Sequence, residues 1–251
     1  MRGPIIDKVK KTFIANLYIS YKSLWAKPIA QNNEETIIKR LLFRYDVPKV
    51  FIEFGFSGWE FNCASLTKTW QGLLLDGDEY NTKIANIIFK KNITSKKIWL
   101  NLETLSTIKE WASGKEIGIL SVDVDGNDYW FIQNLIDISP SILIAEYNSS
   151  FGLRPITVPY DPDFNREEKH PTWTYYGASL KAITKLMKKN GYSLIEIDTS
   201  GVNCFFVRDD LITSNDLILE PETSFREKLF MDGSRSEQQW ELIKDMEYIW
   251  V

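Results

Sequence analysis

The stretch Val50-Phe51-Ile52-Glu53-Phe54-Gly55-Phe56-Ser57-Gly58-Trp59-Glu60 decides how the chain is interpreted. An apolar run of strand length ends in an acid, and a turn with two glycines and a serine follows. A second apolar run, residues 73–75, ends in Asp76. In α/β proteins, glycines let the backbone approach a nucleotide, and an acid at the second strand's tip accepts from the ribose hydroxyls. The stretch therefore indicates a nucleoside pocket, with a glycine-rich turn that binds nothing as the alternative.

The composition is that of a soluble globular protein of 251 residues, 44% of them hydrophobic and 25% charged. A net charge of −4 gives no global attraction to nucleic acid, so no nucleic-acid partner is expected. Cys63 and Cys204 form no CxxC pair, which argues against a zinc site or a disulfide framework. Neither a signal peptide nor an apolar run of about 20 residues is evident. We therefore expect a cytoplasmic protein without stable membrane insertion.

Strand-like and helix-like segments alternate between residues 46 and 148, which predicts a parallel sheet with helices on both faces. The third strand is predicted at Lys97–Leu100. Ligands of such sheets bind beyond the carboxyl ends of the strands. Polar side chains stand at these predicted ends, namely Glu53, Asp76, Asp123, Asp125, Glu146 and Asn148.

We interpret the chain as a single domain, 1–251, with three parts. Residues 1–45 are N-terminal helices, and an amphipathic helix within 5–30 packs on the domain or on a second subunit of a homodimer, with a membrane-surface helix as the weaker alternative. Residues 46–210 are the catalytic core. Within it, 149–175 lacks periodicity and predicts a lid, and two late strands form an antiparallel pair. Residues 211–251 are a helical extension.

Four segments resemble S-adenosylmethionine-dependent methyltransferases of the FkbM-like type, especially bacterial enzymes that decorate capsules and other surface glycans. They are Glu53–Gly58, Leu73–Asp78, Ser121–Trp130 and Tyr176–Leu180, and the resemblance covers roughly residues 30–208. It implies a Rossmann-like class I methyltransferase fold within the α/β class. Such a fold has a mostly parallel seven-stranded sheet, helices on both faces and an antiparallel last strand.

The resemblance also implies which residues contact S-adenosylmethionine. The Glu53–Gly58 turn would hold the amino-acid end of the cofactor, with Glu53 accepting from its ammonium group. Asp76 would accept from the ribose, and residues near Leu102 would lie along the adenine. Gln31 begins a weaker match, which lacks the glycine and second acid of the family segment. The implied cofactor contacts are Gln31, Glu53, Gly55, Ser57, Gly58, Asp76 and Leu102.

The acids after the fourth and fifth strands predict the place of chemistry. Asp123 and Asp125 share one face of an extended strand. By resemblance to metal-dependent O-methyltransferases, Asp123 or Asp125, together with Glu146 and Asn148, would bind Mg²⁺ or Mn²⁺, which suit oxygen ligands. The chain departs from those families, which have adjacent Asp residues after the fifth strand. A turn that binds no metal is therefore the alternative.

Histidine titrates near neutral pH, so His170 in the predicted lid is a candidate base beside Asp123 and Asp125. Three further cations in or beside the lid, Arg154, Arg166 and Lys169, would suit a phosphate-bearing substrate. Together with these residues, the resemblance implies O-methylation of a carbohydrate or of a nucleotide-linked, phosphate- or phosphoramidate-bearing precursor in capsular or surface polysaccharide biosynthesis.

Two rival functions are kept open. One is an NAD-dependent oxidoreductase, although Ser57 stands where a dinucleotide fingerprint has its second glycine and no Tyr-x-x-x-Lys follows. The other is a non-catalytic glycan-binding or scaffold protein that keeps a degenerate pocket. Binding of NAD or of S-adenosylmethionine distinguishes the three.

Overall fold

The computed structural model describes residues 13–89, 91–230 and 232–251, and within them seven strands form one sheet. The strands are β1 (Val50–Phe54), β2 (Gln71–Asp76), β3 (Ile93–Lys97), β4 (Ile119–Val122), β5 (Ile142–Glu146), β7 (Tyr192–Ile197) and β8 (Asn203–Arg208). Their order is β3-β2-β1-β4-β5-β8-β7, and only the pairs that include β8 are antiparallel. The sheet is mostly parallel with an antiparallel last strand, so the predicted seven-stranded α/β architecture is confirmed.

Helices cover both faces of the sheet. They are α1 (Phe13–Ser23), α2 (Glu34–Arg44), α3 (Glu79–Ile88), α4 (Ser106–Ala112), α5 (Asp128–Leu135), α6 (Arg166–Lys169), α7 (Leu180–Lys189), α8 (Pro221–Ser224) and α9 (Ser236–Ile243). Successive strand side chains point to opposite faces. In β1, Ile52 and Phe54 therefore join the apolar cluster under α4, α5 and α7, whereas Phe51 joins the cluster under α2.

The carboxyl ends of the three central strands are level with one another. Phe54, the last residue of β1, pairs with Leu75 on one side and with Val122 on the other. The next residues along each strand, Gly55, Asp76 and Asp123, consequently meet at one edge of the sheet. This register is what assembles a site from segments distant in sequence.

The third strand is displaced from its predicted position. The observed β3 spans Ile93–Lys97, whereas the strand was predicted at Lys97–Leu100. The two ranges share only Lys97. An edge strand with one solvated face does not need an apolar run. The apolar character of Ile98 and Leu100 comes from their packing on the core beside the cavity described below.

Residues 149–175 pack against the C-terminal part of the chain. Phe151, Ile156 and Phe164 form a third apolar cluster with Ile243 of α9. A short strand β6 (Ile156–Thr157) pairs antiparallel with β9 (Ile249–Trp250). The predicted N-terminal helices correspond to α1 and α2, and residues 1–12 lie outside the described part of the chain. Within the described residues, no helix has the length and apolar character needed to cross a bilayer.

Candidate functional site

A cavity of about 740 Å³ opens at the carboxyl ends of β1, β2 and β4. This lies within the roughly 300–1,000 Å³ of small-molecule sites. We call one side of the cavity the strand wall, and it comprises Gly55–Ser57, Leu75–Gly77, Asn81 and Asp123–Asp125. We call the facing side the loop wall, and it comprises Phe164–Glu167 and Trp173. Of the predicted cofactor residues, Gly55, Ser57 and Asp76 line the cavity.

Gly55 is required by both its conformation and its surroundings. Its φ of +78° lies in the left-handed region that disfavours residues with a Cβ. A Cβ at this position would stand 1.3 Å from the carbonyl oxygen of Asp123. Its amide donates to the Leu75 carbonyl at 3.1 Å. The turn after β1 can therefore lie against β2 and β4 only because residue 55 is glycine.

Glu53 is placed differently from the prediction that it accepts from the cofactor's ammonium group. Its side chain is buried, and its two oxygens accept from the amides of Asn62 and Cys63 at 2.7 and 2.8 Å. Burial raises its pKa to about 7. The alternation of β1 directs Glu53 to the same face as Phe51, behind the turn. Glu53 thus fixes the loop that follows the glycine turn and is not among the residues that line the cavity.

Asp76 is held by a small polar network at the tip of β2. Its Oδ1 accepts from the Asp78 amide at 2.6 Å and from Asn81 Nδ2 at 3.2 Å. Asn81 Oδ1 in turn accepts from the Gly58 amide at 3.1 Å. Burial raises the pKa of Asp76 to about 6. Asn81 therefore ties the two predicted motifs together, and nothing in the sequence had marked it.

Gly58 itself packs against α3 and does not line the cavity. A Cβ there would meet the Ile84 side chain at 2.7 Å. The side of the cavity beyond Asp76 comes from Ile98–Leu100, and Trp99 lies so close to Gly77 that a Cβ on that glycine would be 2.8 Å from its ring. The Leu102 amide instead donates to the Tyr160 hydroxyl at 3.0 Å. The cavity-lining residues Ile98–Leu100 therefore stand two to four positions before Leu102, the residue predicted to lie along the adenine.

Gln31 is not brought to the site. It is exposed in the segment before α2 and is not among the described residues that line the cavity. The residue of that segment that is held tightly is Glu34, which is buried and accepts from Asn203 Nδ2 at 3.0 Å. The Gln31–Glu34 match therefore marks a structural contact between α2 and β8.

Three carboxylates converge at the end of the cavity nearest β5. Ligand atoms of Asp123, Asp125 and Glu146 all lie within 4.8 Å of one another. Glu146 is buried, and its Oε2 has no hydrogen-bond partner among the described residues. Burial, and then the negative charge of the neighbouring acids, raises the pKa of both Asp123 and Glu146. The cluster therefore favours either a proton or a cation.

The turn that carries Asp125 is closed by Asp128. This buried side chain accepts from the Val124 amide at 2.9 Å and from the Gly126 amide at 3.0 Å. The closed turn holds Asp125 at a φ of +55°, in the left-handed region that Asp adopts more readily than most residues with a Cβ. Non-glycine residues in this region occur preferentially at functional sites.

Arg166 joins the loop wall to the acids. Its guanidinium forms an ion pair with Asp125 and lies 3.6 Å from the ring centroid of Tyr176. Its Nε donates to the Trp173 carbonyl at 2.5 Å. Trp173 is 49% exposed and has a φ of +58°. Arg166 therefore both balances one carboxylate and holds an aromatic side chain at the cavity.

The other two predicted phosphate-binding cations also have carboxylate partners. Arg154 pairs with Glu237 at 2.7 Å, and Lys169 pairs with Asp161 at 2.6 Å. With Arg166 on Asp125, all three are engaged within the chain. These pairs weaken the argument for a phosphate-bearing substrate.

Asn148 and His170 do not take the roles predicted for them. Asn148 is buried, and its Nδ2 donates to the carbonyls of Thr174 and Tyr176 at 2.7 and 2.8 Å. Its Oδ1 accepts from the Ser150 amide at 2.9 Å, so the side chain fastens the backbone at residues 150, 174 and 176. His170 Nδ1 is 2.7 Å from Thr172 Oγ1, and His170 does not line the cavity.

The fit of a divalent cation can be judged from the donors alone. Asp123, Asp125 and Glu146 supply the oxygen ligands that Mg²⁺ and Mn²⁺ prefer. The unpartnered Oε2 of Glu146 is consistent with such an ion. The cluster contains both aspartates that the sequence offered as alternatives, together with Glu146, and Asn148 is not part of it.

Comparison with known proteins finds likeness in structure only. No family model and no curated protein matches the chain. Among solved structures, a candidate caffeoyl-CoA O-methyltransferase from Staphylococcus aureus is 13% identical with a TM-score of 0.47, and the match covers 81% of this chain and 95% of that one.

Two further solved structures have similar values. Magnesium protoporphyrin IX methyltransferase from Synechocystis PCC 6803, with SAH bound, is 12% identical with a TM-score of 0.44 over 78% of this chain and 88% of its own. The N-terminal domain of EvdMO1, crystallised with SAH and D-fucose, is 11% identical with a TM-score of 0.43 over 82% and 97%. We therefore infer function from the residues of the site itself.

Proposed function

We propose that the protein is an S-adenosylmethionine-dependent methyltransferase. The observation that carries the proposal is the pairing of Gly55 and Asp76 in one cavity. The first lets the backbone of the turn come close to a ligand, and the second is a carboxylate at the tip of the neighbouring strand. Ribose hydroxyls are the donors that such a carboxylate receives in α/β nucleotide sites.

Calorimetric titration with S-adenosylmethionine, its demethylated product SAH, and NAD tests this proposal. We expect both sulfur compounds to bind and NAD not to bind. NAD has a second ribose and a nicotinamide and therefore needs a longer site than S-adenosylmethionine does. Binding of NAD alone would favour the oxidoreductase. Absence of heat with all three would favour the non-catalytic protein.

The acceptor is proposed to be a carbohydrate hydroxyl, as in surface polysaccharide biosynthesis. A neutral hydroxyl fits a cavity at which Arg166, the cation among the described residues that line it, is already paired with Asp125. Asp123 lines the cavity, whereas Glu146 lies behind it. Asp123 would thus be the carboxylate that accepts the hydroxyl proton, and Glu146 the group that positions it. The hydroxyl oxygen attacks the methyl carbon as the carbon–sulfur bond breaks, which leaves SAH.

The role of Asp123 is separable from cofactor binding. Asp123→Asn removes the acceptor of the proton and keeps the shape of the side chain. We expect methyl transfer to a panel of free and nucleotide-linked sugars, followed as SAH formation, to fall by about 100-fold or more. SAH affinity should change less than about threefold. Equal losses of binding and turnover would show that Asp123 holds the cofactor instead.

A divalent cation at the same acids is the second candidate, favoured by the convergence of three carboxylates. Asp123, Asp125 and Glu146 would hold Mg²⁺ or Mn²⁺, which lowers the pKa of a bound hydroxyl. We expect EDTA to abolish turnover and Mn²⁺ to restore it, and Glu146→Gln to weaken Mn²⁺ binding in a titration without substrate. Full activity in EDTA would leave Asp123 acting as a base without a metal.

A further inference from the structure

Helix α1 has two apolar faces, and only one of them packs on the domain. Ala15 and Ile19 are buried, and the helix lies against α3. The second face is exposed, from 53% at Tyr18 to 81% at Leu24. Its members are Leu17, Tyr18, Tyr21, Leu24 and Trp25. We call this face the α1 stripe.

The α1 stripe is a continuous surface. Its five residues recur at spacings of one, three and four, which places them along one side of a helix. The helical path continues past Ser23, because the amides of Leu24 and Trp25 each donate to a carbonyl three residues earlier at 3.2 Å. The rings of Tyr21 and Trp25 lie 6.5 Å apart in an edge-on arrangement. Exposed apolar patches of this kind mark interaction surfaces, whereas scattered apolar residues do not.

The charge of the N-terminal segment indicates which kind of partner the α1 stripe would bind. Residues 1–30 carry six basic side chains and one acidic one, although the whole chain has a net charge of −4. A helix with aromatic and aliphatic residues on one face, within a basic segment, is the pattern that binds at the interface of anionic lipid. A second copy of this chain is disfavoured, because a symmetric contact would bring two basic segments together.

We propose that the α1 stripe docks on the surface of an anionic lipid bilayer, with its aromatic rings in the headgroup layer. Docking would fix how the cavity faces the membrane. The segment after α1 is joined to the turn after β1, since the Ile29 amide donates to the Trp59 carbonyl at 3.2 Å and the Phe61 amide to the Ile29 carbonyl at 3.0 Å. Lys22 Nζ also lies 4.3 Å from the centroid of the Trp59 ring.

Co-sedimentation of the full chain with vesicles tests the proposal. One vesicle is phosphatidylcholine alone, and the other is an equal mixture of phosphatidylcholine and phosphatidylglycerol. We expect binding to the mixed vesicle only, weakened by salt because charges at a surface are screened. The double variant Tyr21→Ser/Trp25→Ser should have an affinity for the mixed vesicle that is lower by roughly tenfold or more.

Phe43→Ser is the matched control, since Phe43 is 93% exposed on α2, outside the α1 stripe. We expect it to bind like the unmodified chain. If the double variant does not fold, as judged by its thermal transition, Leu24→Ser replaces it. Absence of binding to the mixed vesicle, or equal binding by the stripe variants, overturns the proposal. So does a dimer in sedimentation velocity that the stripe variants dissociate without any effect of lipid.

Discussion

The two walls of the cavity are held in place by different kinds of contact. The strand ends in the strand wall are joined by backbone hydrogen bonds, such as Gly55 to Leu75 at 3.1 Å and Asp123 to Phe54 at 3.3 Å. The side chains of Asn81 and Asp128 close the turns beyond those ends. The segments on either side of the loop wall are fixed by side chains that donate to the backbone. Asn148 Nδ2 donates to the carbonyls of Thr174 and Tyr176, and Asn127 Nδ2 donates to the Asp161 carbonyl at 2.7 Å.

This difference indicates that the two walls have different functions. Backbone contacts between strands follow from the fold and require only that no side chain blocks them, as a Cβ at Gly55 would. Side-chain contacts to loops depend on a few polar residues, so the loop wall can change without loss of the sheet. We therefore propose that the strand wall binds the cofactor and that the loop wall selects the acceptor, and four variants test this proposal.

Gly55→Ala should have the largest effect on stability, because residue 55 lies where the turn after β1 contacts the end of β2 and Asp123 after β4. The new Cβ would overlap the Asp123 carbonyl at 1.3 Å and stand at a left-handed φ. We expect the free energy of unfolding to fall by about 3 kcal/mol or more. SAH titration should show no binding by whatever protein folds.

Gly114→Ala is the control for backbone conformation alone. Gly114 has a φ of +72°, close to that of Gly55, but a Cβ there meets nothing within 4 Å. We expect a loss of only about 1 kcal/mol in thermal unfolding and unchanged SAH affinity. Equal effects of the two variants would mean that the close approach to β4 does not matter.

Asn148→Asp should have the next largest effect, and it separates the predicted metal ligand from the observed loop support. An ionised aspartate cannot donate to the carbonyls of Thr174 and Tyr176, and it places a charge in a buried site. We expect about 3 kcal/mol of destabilisation, measured by urea unfolding. Asn134→Asp, on the exposed side of α5, should change stability by less than about 0.5 kcal/mol.

A contrary result for Asn148→Asp would revive the ligand prediction. A metal ligand changed from amide to carboxylate should bind Mn²⁺ more tightly and leave unfolding almost unchanged. That outcome would also mean that the hydrogen bonds to Thr174 and Tyr176 carry little stability. The loop wall would then be fixed by packing on Phe151 and Ile243.

The strand wall could be predicted from sequence because its signals are local. A glycine after an apolar run and an acid after the next one mark strand ends in any α/β chain. Gly55, Ser57 and Asp76 therefore line the cavity as expected. The role of Glu53 could not be predicted the same way, because its direction depends on strand alternation and on which backbone amides lie behind it.

The loop wall could not be predicted because its signals are long-range. Arg166 meets Asp125 across 41 positions of the chain, and Asn148 meets carbonyls 26 and 28 residues away. No periodicity links such pairs, so Arg166 was interpreted as a substrate-binding charge and Asn148 as a ligand. His170 was selected for its chemistry alone, and its neighbours turn it towards Thr172.

Asp76→Asn tests the strand wall through affinity. A hydrogen bond to a charged acceptor contributes about 1.5–3 kcal/mol, so we expect SAH to bind roughly 10- to 100-fold more weakly in calorimetry. Because burial raises the pKa of Asp76 to about 6, protonation should weaken binding as the pH falls through that value. Binding by Asp76→Asn should not show this step. An unchanged pH profile in the variant would place the titrating group elsewhere.

Arg166→Ala should have the smallest effect on the cofactor and a selective effect on the loop wall. It removes the ion pair with Asp125, the contact with Tyr176 and the donor to the Trp173 carbonyl. We expect faster hydrogen exchange across residues 164–174, and SAH affinity within about twofold of the unmodified chain. Arg208→Ala, which removes an exposed pair with Asp210, should leave both unchanged. A large loss of SAH affinity in Arg166→Ala would show that the loop wall also holds the cofactor, and the division between the two walls would fail.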